Sequence, residues 1–267
     1  RSQIPNDVRN NETTEIQEET PKDNVPNQEN EISRNISTRN ILTFNRRGFP
    51  IAMIAKSVEE AADPKSFEQA VDGKNGISWK KLIQKEVLNI KTHDVWTAVN
   101  HEDHIKPLNC TWVFRTKRDV NGNVTERKAC LCVQGFNQKE GIDYSSTFAP
   151  TGRLTALRML ISFSLAHNLR FHQVDVKSAF LNAPLEENVL ISPPKGTNVA
   201  SGKILKLKKA LYGLKQAPQA WNKCLTQFLF SIGFQRCKAE PCLFWRKGTF
   251  LYVHVDDIAI FSKDPQV

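Results

Sequence analysis

The amino-acid sequence predicts an α+β fold, with helices packed on one face of a mainly antiparallel sheet. Three observations predict it. Asn121-Gly122 separates two strand-like runs, Thr111–Arg118 and Val124–Val133, and both of its residues tolerate positive φ, the signature of a tight hairpin. Apolar residues recur at helical spacing from Trp79 to Ile90, and two further stretches read as helices. Short β-prone runs cluster around aspartates in the second half of the chain.

Residues 1–45 are rich in Asn, Glu, Gln, Thr and Pro, show no periodicity, and read as disordered linker. Residues 46–77 are transitional; Ser57–Ala62 and Ser66–Val71 could form short helices, each led by a serine of capping type. Residues 78–267 read as the folded domain. Trp79, Leu82, Ile83, Val87 and Ile90 repeat at helical spacing, with Ser78 as N-cap. After the hairpin, Leu154–His167 reads as a long, largely buried helix. Phe171–Val176 is a short strand, with Val174 and Val176 toward the core and Gln173 and Asp175 opposite. Val189–Ser192 and Ile204–Lys208 are strands around a Pro/Gly loop. Pro218 suits the first turn of a helix to Ser231, and Gly233 its C-cap. Cys242–Arg246, a turn at Lys247-Gly248, Phe250–Val255 and Ile258–Phe261 complete the order. No internal repeat is visible.

The formal charge is +9 and is unevenly spread. Residues 1–45 hold five Lys/Arg against eight Asp/Glu, a net −3, so the remainder carries +12. A basic globular part suits a polyanion such as nucleic acid, although ordinary solvated surface is the plainer explanation of charge alone. The six cysteines include no CxxC pair and no Cys/His cluster at zinc spacing, so they read as reduced thiols of an intracellular protein. No signal peptide or apolar run of transmembrane length is visible. The first residue is Arg1 rather than Met, which suggests a piece of something longer.

The sharpest local feature is Leu251-Tyr-Val-His-Val-Asp-Asp-Ile-Ala-Ile-Phe261, two β-prone runs flanking an Asp pair. Like charges ~5 Å apart repel by roughly 3 kcal/mol at an effective dielectric of 20, a cost that a divalent cation removes. A polar turn is the plainer explanation of the pair alone. Asp175, near the end of its own strand, adds a third carboxylate. Two Mg²⁺ held by carboxylates is the requirement of two-metal phosphoryl transfer, and hard cations prefer such oxygens.

Six blocks then carry a resemblance: Thr111-Trp-Val-Phe-Arg-Thr-Lys117; Lys128-Ala-Cys-Leu-Cys-Val-Gln-Gly-Phe136; Gly141-Ile-Asp-Tyr144 with Thr147-Phe-Ala-Pro150; Gln173-Val-Asp-Val-Lys-Ser-Ala-Phe-Leu-Asn182; Leu211-Tyr-Gly-Leu-Lys-Gln-Ala-Pro218 with Trp221; and His254-Val-Asp-Asp257. Together they resemble the reverse transcriptase of copia-type LTR retrotransposons, across roughly residues 78–263 and in that family's order. The resemblance implies right-hand polymerase fingers and palm. It also implies an RNA-directed DNA polymerase that transfers dNTPs to a primer 3′-OH by in-line attack, with two Mg²⁺ ions or Mn²⁺ in their place. By the same resemblance Asp175, Asp256 and Asp257 are the catalytic carboxylates, and Val176 lends a backbone carbonyl to a metal. Phe180 is an aromatic gate against a ribose 2′-OH, with a core Phe as the plainer alternative. Tyr212 and Gly213 pack on the incoming nucleotide, the glycine allowing close backbone approach. Lys215 sits near phosphates, and Lys128, more weakly Lys117 and Arg118, contacts the triphosphate.

Three substitutions depart from the family pattern. Cys130 stands where an Arg is usual; losing that charge-assisted contact costs on the order of 1.5–3 kcal/mol. Asn222 replaces an aromatic and is expected to loosen packing, and His254 replaces a Tyr. The primer-gripping segment, thumb and RNase H that the resemblance leads one to expect downstream are missing from these 267 residues. The isolated chain is therefore expected to polymerise weakly or not at all. Implied partners are RNA/DNA primer-template, dNTPs and the rest of a retrotransposon polyprotein, integrase and RNase H included, with no membrane. The implied location is cytoplasmic particles, with the nucleus as destination. The first alternative is a catalytically decayed, nucleic-acid-binding relic of the same element. A nucleotidyl cyclase, which shares the palm but lacks template contacts, is disfavoured by the Tyr212 block.

Overall fold

A computed structural model describes residues 43–44, 50–51, 62–102 and 104–263. The linker expectation for 1–45, apart from residues 43–44, and the helix expected at Ser57–Ala62, apart from its last residue, lie outside them. Strands β1 (Thr43–Phe44) and β2 (Pro50–Ile51) pair antiparallel, within a unit separate from residues 61 onward.

The second unit opens with helix α1 (Phe67–Asp72), where Ser66 caps as expected, its hydroxyl accepting from the Gln69 N–H at 3.2 Å. Helix α2 (Gly76–Thr92) starts two residues before the expected Ser78 cap. The two helices are joined so tightly that a Cβ at Gly76 would lie 2.3 Å from the Val71 carbonyl oxygen, and Asn75 precedes the helix without a side-chain cap bond. Trp79, Ile83, Val87 and Ile90 are buried, as their spacing requires. Strand β3 (Trp96–Asn100) was not expected; its sequence alternates weakly, and pairing with a later strand defines it.

Strands β4 (Cys110–Arg118) and β5 (Val124–Val133) form the expected hairpin, with Gly122 at φ +87°. Its buried face carries Trp112, Phe114, Ala129, Leu131 and Val133; Phe114 meets Trp79 of α2 edge-on at 5.1 Å. The opposite face carries Arg115, Lys117, Glu126, Lys128 and Cys130. Helix α3 (Leu154–Ala166) corrects an expectation: only Leu160 and Ser164 are buried, while Leu154, Met159 and Leu165 are more than half exposed. Its sequence is apolar all round, but a single stripe of it touches the sheet.

Strands β6 (Arg170–Asp175), β7 (Leu190–Ile191) and β8 (Lys203–Leu207) follow, then helix α4 (Ala217–Ser231). Gly233 at φ +87° ends α4 as expected, its N–H donating to the Phe230 carbonyl at 2.9 Å. Strands β9 (Gln235–Arg236), β10 (Leu243–Arg246), β11 (Thr249–His254) and β12 (Asp257–Ser262) complete the chain. The sheets are antiparallel: a five-stranded one ordered β6-β12-β11-β10-β9 and a three-stranded one ordered β3-β8-β7.

The α+β class is observed, but the helices do not share one face. Side chains alternate along β11, so Leu251 and Val253 pack with Trp221, Leu225 and Leu229 of α4. Phe250 and Tyr252 pack with Ala156, Leu157 and Leu160 of α3. Each face of the five-stranded sheet therefore holds one helix. Val174 also departs from expectation. Gln173 and Asp175 do take the face opposite it, but β6 is an edge strand and Val174 stays 45% exposed.

Candidate active site

Antiparallel pairing brings the aspartates together. β12 lies between β6 and β11, and its register sets Asp257 directly opposite both Asp175 and His254. Residues directly opposite project to one face, with Cα atoms roughly 4.5–5.5 Å apart. Two carboxylates and an imidazole thus share one rung at the end of the sheet. Asp175 and Asp257 are exposed, while Asp256, in the turn between β11 and β12, is half-buried. Gln173, on the same face, donates from Nε2 to Asp257 Oδ1 at 3.2 Å. This is α3's face of the sheet, but α3 covers its far end, around Phe250 and Phe261, and leaves the rung open.

The turn itself is strained. Val255 has φ +59°, a region that a β-branched residue very rarely enters. Two hydrogen bonds hold it: the Trp221 indole N–H donates to the Val255 carbonyl at 2.7 Å, and the Val176 N–H to the Asp256 carbonyl at 2.9 Å. Val176, expected to offer its carbonyl to a metal, is thus tied to the Asp pair through its N–H. The chain after Asp175 is also bent, with Ser178 at φ +54° and its hydroxyl accepting from Asn89 Nδ2 of α2 at 2.9 Å.

Phe180 and Tyr212 meet edge-on, ring centroids 5.0 Å apart, both half-buried. Burial pushes the Tyr212 phenol up to about 12, and the carboxylates of Glu86, Asp256 and Asp175 push the same way. Tyr212 therefore stays protonated, within electrostatic reach of the aspartates. Gly213 has φ +90°, and a Cβ there would lie 2.1 Å from the Val133 carbonyl oxygen. The close approach for which glycine is needed is to the end of the hairpin, where the Val133 N–H also donates to the Tyr212 carbonyl at 2.7 Å. Gly135 fits against the same loop, since its Cβ would meet the Gly213 oxygen at 2.0 Å.

Lys215, expected near phosphates, is engaged within the chain. Its ammonium donates to the Gln138 carbonyl at 3.2 Å and the Tyr144 hydroxyl at 3.3 Å, and lies 4.8 Å over the Tyr144 ring. Lys128 is exposed and 3.7 Å from Glu126, which also pairs with Lys117 at 2.9 Å. That bond, first of all, and Asp175 among other charges raise the Lys117 pKa. Cys130, at the position of the usual Arg, is half-buried; contact with the Cys132 thiol, then burial, raises its pKa and keeps it neutral. All six cysteines are free thiols. Asn222, expected to loosen packing, has its Oδ1 accepting from Arg236 Nη2 at 3.1 Å.

The two carboxylates on the rung fit a hard divalent cation, while the His254 imidazole beside them is a donor that suits transition metals. Among the described residues no three His, Cys, Asp or Glu side chains converge as a ready-made ion site. Trp221's contact with the turn, the Val255 conformation and Gln173's bond were not foreseen. Gln173 had a readable signal, two residues from Asp175 on the same strand face. The positive φ of Val255 had none.

A family model described as reverse transcriptase (RNA-dependent DNA polymerase) matches residues 93–267. The retrovirus-related Pol polyprotein from transposon TNT 1-94 of Nicotiana tabacum is 32% identical over 214 residues, covering 78% of this chain and 16% of that protein. The Pol polyprotein from transposon RE1 of Arabidopsis thaliana is 32% identical over 223 residues, covering 81% and 15%. The transposon Ty1-DR5 Gag-Pol polyprotein of Saccharomyces cerevisiae is 28% identical over 219 residues, covering 78% and 12%. The chain thus spans a small part of the length of these relatives.

Proposed function

The chain belongs to the reverse transcriptase (RNA-dependent DNA polymerase) family of copia-type retrotransposon Pol polyproteins, and from that premise we propose that it carries the nucleotidyl-transfer centre of its polyprotein. The observation that carries this reading is the rung Asp175–Asp257, with Asp256 in the adjoining strained turn. Asp175, Asp256 and Asp257 would hold Mg²⁺, or Mn²⁺ in its place, with the Val176 carbonyl beside them. When bound, the ions supply activation of the primer 3′-OH and charge neutralisation on the leaving pyrophosphate.

The remaining residues position the reactants. Lys128, with Lys117 on the same face of the hairpin, offers positive charge to the triphosphate of a dNTP. Phe180, braced edge-on by Tyr212, stands where a ribose 2′-OH would clash. Gly213 and Lys215 hold the Tyr212 loop on the hairpin and on Tyr144, fixing the distance between the cationic strands and the carboxylates. RNA or DNA primer-template is the polyanion that the net charge suits. Integrase and RNase H regions of the same polyprotein are its proposed neighbours. Among the described residues no helix is long and apolar enough to cross a membrane. Cytoplasmic particles, with nuclear DNA as destination, are the proposed location.

Single-nucleotide addition to a primed RNA template, with Mg²⁺ and one complementary dNTP, tests the reading. Slow, metal-dependent addition that Asp257→Asn abolishes supports it. Addition unaffected by Asp257→Asn contradicts it, and tight primer-template binding with no addition even after Cys130→Arg favours the catalytically decayed relic instead.

A further inference from the structure

We propose that Trp221 is a positioning residue for the aspartate turn, acting as a latch that holds Val255 in a backbone conformation it would otherwise leave. The inference rests on the reading of Asp256 and Asp257 as functional carboxylates, and concerns how they are held. The indole ring is buried in the main core, 5% exposed, so its position on α4 is fixed by packing. Its N–H is the only donor that an indole has, and it goes to the Val255 carbonyl at 2.7 Å.

Val255 is the residue for which such a bond matters most. A branched side chain at φ +59° is strained, and strained backbone persists only where its surroundings over-determine it. Val255 precedes the Asp pair, so a relaxation of its φ would swing Asp256 and break the bond from the Val176 N–H to the Asp256 carbonyl. That bond ties the turn to the strand end bearing Asp175. The latch therefore fixes all three carboxylates relative to one another through a single side chain on α4 and its bond to the Val255 backbone.

Strain and latch make a reciprocal prediction. Removing the latch should release the turn only if the strain is present, because glycine adopts positive φ without penalty. Amide hydrogen exchange at Val176 reads the turn directly, in the whole chain and without metal or substrate. Trp221→Phe, which keeps an aromatic ring and deletes the N–H, should lower Val176 protection about tenfold, the worth of one hydrogen bond. Val255→Gly in the same chain should restore it, and Val255→Gly alone should leave it at or above the parent value. If Trp221→Phe does not fold, a benzothiophene analogue of tryptophan at 221 deletes only the N–H. Unchanged protection in both latch variants, or a loss that Val255→Gly does not restore, overturns the proposal. Single-nucleotide addition on the same variants separates the two readings. A fall in kcat with unchanged KM for dNTP, restored by Val255→Gly, supports a positioning role. The expected loss and rescue of Val176 protection, with no metal-dependent addition in any variant, would leave the latch standing and remove the polymerase reading.

Discussion

The hairpin β4-β5 and the turn between β11 and β12 both carry charged side chains, and Lys117 on the first lies within electrostatic reach of Asp175 beside the second, but they are built by opposite means. The hairpin is regular: its register shifts only at Lys117/Arg118, its turn uses Gly122 at positive φ without strain, and one face lies on α2. Its lysines are where they are because strands alternate. The aspartate turn holds a valine in a glycine's conformation and depends on bonds from α4 and from Val176, just after β6. A periodic element tolerates the loss of one residue, whereas a strained point does not. Substitutions at the aspartates and at the anchors of the turn should therefore act most steeply, and those on the hairpin's open face less so.

The largest effect belongs to the rung. Asp175→Asn should cut single-nucleotide addition by at least about 10²-fold, above the range seen when residues merely behind a metal ligand are changed. A fall much smaller than that would place the reaction elsewhere. The junction between the two regions comes next. Gly213→Ala sets a methyl group 2.1 Å from the Val133 oxygen at φ +90°, and should cost about 3 kcal/mol, a fall in Tm of roughly 6–12 °C by thermal unfolding. An unchanged Tm would mean that hairpin and loop are not docked as described.

On the hairpin, Cys130→Arg should lower the KM for dNTP by roughly 10–100-fold if this face binds triphosphate. An unchanged KM would separate the hairpin from the nucleotide site. The smallest effect is Glu86→Gln on α2. Burial, above all, holds the Glu86 carboxyl above the usual range, against partial compensation from Asn89 and the Leu131 backbone. The carboxyl's contribution to stability is thus intact below the ordinary glutamate pKa of about 4.3, and is lost as pH rises through the raised folded value. Glu86→Gln should raise Tm at pH 7 by roughly 1–3 °C, and the two Tm values should converge near pH 4. A constant difference across that range would rule out titration as the cause.

The same contrast explains what the sequence made legible. Asn121-Gly122 announced the hairpin, helical spacing announced α2, and Pro218 with Gly233 announced α4, because each rests on local preference. Asp175 and the Asp256-Asp257 pair stood out chemically, and the strand register then placed two of them on one rung. The one-helix-per-face arrangement was hidden, since periodicity says which side of a strand is apolar and not what covers it. Helix α3 misled because apolar composition resembles burial. Val255's strain and Trp221's bond arise between residues 34 positions apart, and nothing local to either encodes them.

The central claim is that Asp175 and Asp257 act together as one carboxylate site for a divalent ion. Mn²⁺ binding, followed by electron paramagnetic resonance on the whole chain, tests it most directly. The account predicts saturable binding that Mg²⁺ displaces and that either Asp175→Asn or Asp257→Asn removes. Binding that survives both substitutions, or a chain that takes up no Mn²⁺ at millimolar concentration, would contradict it.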